Sequence, residues 1–185
     1  YRQTDILQKI LFRPTDRVSH LFNFQYSTST DIPRYDRLTD PGTGGIGLKF
    51  AEWYYGPQER LLTAYRLQVN SIGKFADRMT LTASYQAVGE SRHQRRFNST
   101  SLQHRNEQVD VGGITIDFQK NRGKDDIRYG IDGQFNFLRS SAEAENVLTG
   151  ESTALDTRYP GGKNRMDFIA LYATHTRQLL SLIHI

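Results

Sequence analysis

The side chains with the most chemical reach in this chain fall into three groups. Arg34, Tyr35 and Arg37 lie in the stretch Asp31-Ile32-Pro33-Arg34-Tyr35-Asp36-Arg37-Leu38-Thr39. Planar guanidinium groups there could grip carboxylates of a ligand two bonds at a time. Alternatively, they pair with Asp31, Asp36 and Asp40 and order their own loop. Trp53, Tyr54 and Tyr55 form an aromatic run that could line a lipid boundary or stack on a flat ligand or a partner protein. His93 and His104 lie on either side of Asn98-Ser99-Thr100. If the chain turns back at Asn98, the two imidazoles face each other across a hairpin. Neutral imidazoles can ligate a metal, although solvated histidines with no visible supporting shell are the plainer alternative.

Nothing in the chain points to catalysis. It has no Gly-x-Ser-x-Gly elbow, no His-Glu-x-x-His and no phosphate-binding Walker loop. Gly42-Thr43-Gly44-Gly45-Ile46-Gly47 lacks a following Lys-Ser/Thr and reads as a flexible loop. The carboxylate pairs Asp125-Asp126 and Glu143/Glu145 read as solvated loop charge, with calcium as the second reading. Cysteine is absent, which excludes disulfides, a thiol nucleophile and a thiolate metal site. The expectation is a protein without catalytic residues, without a resident metal and without a covalently bound cofactor.

These groups must be positioned by strands. Val18, His20, Phe22, Phe24 and Tyr26 alternate with Ser19, Asn23, Gln25 and Ser27, and only Leu21 breaks the polar row. Successive strand side chains point to opposite faces, so one face is apolar and the other wet. The pattern returns in Met79, Leu81, Ala83, Tyr85 and Ala87, and again from Ile127 to Phe137. Further strands are expected near Thr4–Phe12, Gln58–Val69 and Val109–Phe118, with Gly112-Gly113 as a bulge or bend. A seventh begins near Met166, with Phe168, Ala170 and Tyr172 in one row. Glu90–Gln108 reads as two strand tops protruding into water. The connections run short and long in turn, the long ones being about Thr28–Trp53, Glu90–Gln108 and Arg139–Arg165.

A two-layer sandwich has no reason to sort its loop lengths by end, whereas an outer-membrane barrel has short turns inside and long loops outside. The predicted fold is therefore all-β: a partial, antiparallel, up-and-down transmembrane β-barrel of about seven strands, incomplete. A soluble β-sandwich binding module is the rival. The mean hydropathy of −0.62 does not argue against a barrel, because a spanning strand is half polar. The net charge of +4 is scattered over loops and wet faces, which suits lipopolysaccharide phosphates and argues against nucleic acid. The chain starts at Tyr1 almost inside a strand and reads as a piece of a longer one, with residues 1–179 as barrel segment. Residues 180–185, Leu-Ser-Leu-Ile-His-Ile, read as a non-native adapter-like tail.

The runs TSTDIPRYDRLTD (28–40) and AEWYYGPQERLLTAY (51–65) resemble the barrel of TonB-dependent outer-membrane receptors, most closely the branch that takes iron from haem, haemoglobin or transferrin. DRMTLTASYQAVGESRHQR (77–95), DIRYGIDGQFN (126–136) and LDTRYPGGKNRMDFIALYATHT (155–176) extend the likeness over most of Tyr1–Thr176. The resemblance implies a receptor of the bacterial outer membrane, its barrel holding a plug that the TonB complex pulls. It implies outer-membrane lipid, and an iron-containing ligand or host haem protein, as partners. The transported ligand would be haem or another ferric chelate, with a ferric siderophore as the alternative. On that reading Arg34, Tyr35, Arg37, Trp53, Tyr54, Tyr55, His93 and His104 are the candidate ligand-binding residues of the outer loops.

Overall fold

Alternation with a period of two holds the chain extended, and the computed structural model describes residues 1–179 accordingly as an all-β protein. The tail expected at 180–185 lies outside the described residues. Seven long strands follow one another in an antiparallel sheet: β1 (Gln3–Thr15), β2 (Val18–Ser29), β5 (Glu59–Asn70), β6 (Arg78–Arg96), β7 (Ser101–Arg122), β8 (Asp125–Asn146) and β10 (Gly162–Arg177). Three short strands attach to this path: β3 (Ile32–Pro33), β4 (Phe50–Tyr55) and β9 (Ser152–Ala154). The one α-helical turn among the described residues is α1 (Tyr35–Leu38). The sheet is open, with β1 and β10 as its long edges.

The register aligns the apolar rows across the whole sheet. Ile10, Phe22, Tyr65, Ala83, Ile114, Gly133 and Ile169 lie side by side on seven strands. The neighbouring row runs Phe12, His20, Leu67, Leu81, Ile116, Ile131 and Leu171. His20 fits this oily row because its Nδ1 meets the Tyr65 hydroxyl at 2.8 Å and its ring stacks on Phe12. No second layer covers these rows among the described residues. Ile10, Phe22, Ile114, Ile131, Ile169 and Leu171 are all exposed, and the buried apolar side chains among the described residues are Phe50, Trp53, Ala76 and Ala144. The opposite face carries polar pairs such as Thr115 donating to Asp132 (2.9 Å) and Arg60 donating to Gln86 (3.0 Å).

Three local expectations change. The Gly112-Gly113 bulge does not form; β6 and β7 pair without a register shift from Arg78↔Gln119 to Gln94↔Gln103. Gly113 makes room instead: a Cβ there would press on Ser84 Oγ, whereas a Cβ on Gly112, opposite Tyr85, would meet open space. The row Phe168, Ala170 and Tyr172 lies on the polar face, where Tyr172 hydrogen-bonds Asp117, while Ile169 and Leu171 carry the apolar row. Pairing that starts at Gly162↔Ser140 fixes that choice of face. The loop expected over Arg139–Arg165 is shorter, because β8 runs on to Asn146 and β10 starts at Gly162.

Candidate functional site

Strands β6, β7 and β8 continue past the apolar rows, and the candidate residues gather on that extension. β5 begins only at Glu59, opposite Gly89, so the upper part of β6 loses its neighbour. The long Thr28–Trp53 segment supplies a replacement: β4 pairs with β6 from Phe50↔Arg96 to Tyr55↔Arg92, and β3 pairs with β4. Gly56 makes the junction. Its N–H donates to the Ser91 carbonyl at 3.1 Å, and a Cβ there would collide with Ser91 Oγ and His93 Nε2.

On the side continuous with the apolar rows, Tyr54, His93 and His104 form one stack. The Tyr54 ring lies on His93 with centroids 4.7 Å apart. His93 and His104 are cross-strand partners with Nδ1 atoms 2.6 Å apart, so one nitrogen donates and the other accepts. His93 Nε2 meets Ser91 Oγ at 2.9 Å. Glu145 Oε2 lies 3.3 Å from His104 Nε2, within ion-pair range but without hydrogen-bond geometry. Burial, and then the neighbouring His104, push the His93 pKa below the ordinary imidazole value. Burial, together with Asp31, Glu52 and Glu145, raises that of the Tyr54 phenol. One proton serves the shared axis, and the lowered His93 pKa disfavours charging that ring.

The other side holds Arg34, Trp53 and Tyr55. The Arg34 guanidinium lies 4.9 Å from the Trp53 ring and 5.3 Å from that of Tyr55, and donates to the Tyr55 hydroxyl at 2.6 Å. It also donates twice to Asp36, at 2.7 and 2.6 Å, and so draws the Asp36 pKa down to about 2. Arg37 pairs with Asp40 at 3.4 Å. Of the two sequence readings, the loop-ordering one describes these contacts, except that Asp31 takes no part in them. Trp53 is 7% exposed and, paired with Gln94, lies on the side of the sheet opposite the apolar rows. β4 folds it against the protein under Arg34. Tyr35 projects into solvent at 73% exposure.

Of the eight candidates, the structure thus joins Tyr54, His93 and His104 on one face and Arg34, Trp53 and Tyr55 on the other. Arg37 touches the Arg34 group only at the edge, 4.0 Å from Asp36, and Tyr35 stands apart from both. Sequence reasoning missed Gly56 and Ser91, and it placed both carboxylate pairs, Asp125-Asp126 and Glu143/Glu145, in loops, whereas they lie on β8 and Glu145 reaches His104. It also missed the row Glu90, Glu107 and Ser140 on the polar face, although centring the hairpin at Asn98-Ser99 places Glu90 opposite Glu107. Among the described residues no group of three or more His, Cys, Asp or Glu is placed to hold a metal. No protein-family model and no curated protein matches the chain.

Proposed function

We propose that this chain is a segment of the wall of a TonB-dependent receptor in the bacterial outer membrane, importing an iron compound. Haem or a haem protein is the favoured source and a ferric siderophore the alternative. The observation that carries the reading is the uncovered apolar face, continuous over seven strands, backed by a polar face. From Val18 to Tyr26 it spans five rows, about 26 Å of strand at ~3.3 Å per residue. At a tilt near 40° that is about 20 Å of height plus the reach of the side chains, close to the ~25 Å apolar band of such barrels. The band ends at a polar belt in which Tyr85 donates to Asp110 and Arg139 pairs with Asp110 at 2.8 Å. Turns lie beyond its other margin. The unpaired edges of β1 and β10 suit continuation into further strands, since a free edge invites pairing. Such a segment would have no catalytic role. It would seat a plug against its polar face and offer the β4–β6–β7 tip to ligand.

Ligation of haem iron by His104 would require the His93 contact to part, because the two Nδ1 atoms are engaged with each other and His104 Nε2 is buried. The test is iron-limited growth of cells carrying the receptor on haem or on a ferric siderophore, with and without TonB, alongside a haem titration of the purified protein. Growth on haem that depends on TonB, and haem affinity lost on His104→Ala, are expected. TonB-independent growth would contradict the receptor reading, and unchanged haem affinity in the variant would remove His104 as ligand.

A further inference from the structure

On the polar face, below the hairpin tip, Glu90 of β6, Glu107 of β7 and Ser140 of β8 form one cross-strand row. Carboxylates directly opposite each other repel, and burial sharpens the cost of an uncompensated charge. Glu107 is nevertheless 5% exposed and Ser140 6%. Glu107 Oε1 and Ser140 Oγ are both buried without a hydrogen-bond partner. Among the described residues neither Glu90 nor Glu107 has an ion-pair partner. Arg92 and Arg105 face each other in the next row of the same face without coming within ion-pair distance of either carboxylate, and Arg105 donates to Gln103 at 3.0 Å. Arg165 pairs with Asp167 at 2.6 Å, and Arg139 pairs with Asp110.

Glu90 and Glu107 border a cavity of about 520 Å³, whose walls include Val88, Val109, Leu138 and Met166, with Tyr159 and the Asp167-paired Arg165 also lining it. The row lacks a positively charged group rich in donors, and the walls offer apolar surface to whatever carries it. We infer that this cavity binds a primary ammonium group on an alkyl stem. An ammonium has three donors and no acceptor, enough to serve the Glu107 and Glu90 carboxylates together, while four or five methylenes would lie along the valine, leucine and methionine walls. A free aliphatic amine and a lysine side chain of another polypeptide segment share this chemistry. The inference stands on the cavity and does not depend on the receptor reading.

The test is calorimetric titration of the purified full chain with pentylamine, with pentanol as the uncharged isostere, and with Nα-acetyl-lysine methylamide. Saturable binding of pentylamine at least about tenfold tighter than of pentanol is expected, since hydrogen bonds to charged groups are the strong ones. Glu107→Gln should remove most of that preference while leaving the weak pentanol binding in place. Binding of the lysine derivative alongside pentylamine would identify a lysine side chain as an acceptable source; binding of pentylamine alone would identify a free amine. Equal affinity for pentylamine and pentanol would overturn the inference, whatever the variant does.

Discussion

His93 and His104 share one hydrogen-bond axis, and their protonation decides whether it survives. The His93 pKa is depressed, so the folded tip binds protons less readily than an open one. The stability it contributes is therefore present above the ordinary imidazole value of about 6.5 and is lost as the pH falls through and below it. Acidification from about pH 7.5 to 5.5 should lower the amide protection factors over residues 91–106 several-fold relative to the intrinsic exchange rate at each pH, and His104→Gln should flatten that dependence. Protection factors that ignore pH would contradict the shared-proton geometry. The facing histidines were legible in the sequence because one turn, at Asn98, sets their register. Glu145 was not, because its approach to His104 depends on a third strand and a separate turn. Gly56 was invisible for a related reason: its constraint comes from Ser91 and His93, distant in sequence. Gly56→Ala should therefore loosen β4 from β6 by about 1–3 kcal/mol, read as faster proteolysis between residues 30 and 58, with the exchange protection of β7 unchanged.

Along the strands, alternation was enough to predict all seven long elements and the polarity of most faces. It failed where both faces carry large side chains. In β10, Phe168 and Tyr172 compete with Ile169 and Leu171, and only pairing from Gly162↔Ser140 settles which row faces which way. The polar stretch Glu90–Gln108 reads as two strand tops, and β6 and β7 run through it; strand length was underestimated for β8, whose polar extension to Asn146 lacks an apolar signal and is held by its ladder to β7. The long Thr28–Trp53 segment concealed β4, a strand that exists because β6 leaves it an empty edge. At this scale the faces make opposite predictions for adjacent residues. Leu81→Arg on the apolar face should destabilise the protein in lipid by about 2–4 kcal/mol, whereas Thr82→Arg on the polar face should cost under about 1 kcal/mol. Denaturant titration in lipid vesicles measures both, and equal costs would contradict the assignment of faces.

For the whole molecule, a single open sheet with its oily face bare is incomplete in water. Exposed apolar patches of this extent mark a surface that meets lipid or another layer of protein. The register supplies the strongest argument for lipid: the two central apolar rows are continuous across seven strands, and the row through Thr4, Thr28, Glu59, Gln108, Arg139 and Lys163 carries no apolar side chain. What the account requires most directly is that alternate residues of one strand touch hydrocarbon. Trp53 is the sole tryptophan, so a Trp53→Phe background allows single tryptophans to be placed in turn from Met79 to Val88. Their fluorescence would be read in vesicles of brominated lipid. The account predicts strong quenching at positions 79, 81, 83, 85 and 87 and weak quenching at 80, 82, 84, 86 and 88. Quenching that fails to alternate, or that is absent throughout, would contradict it.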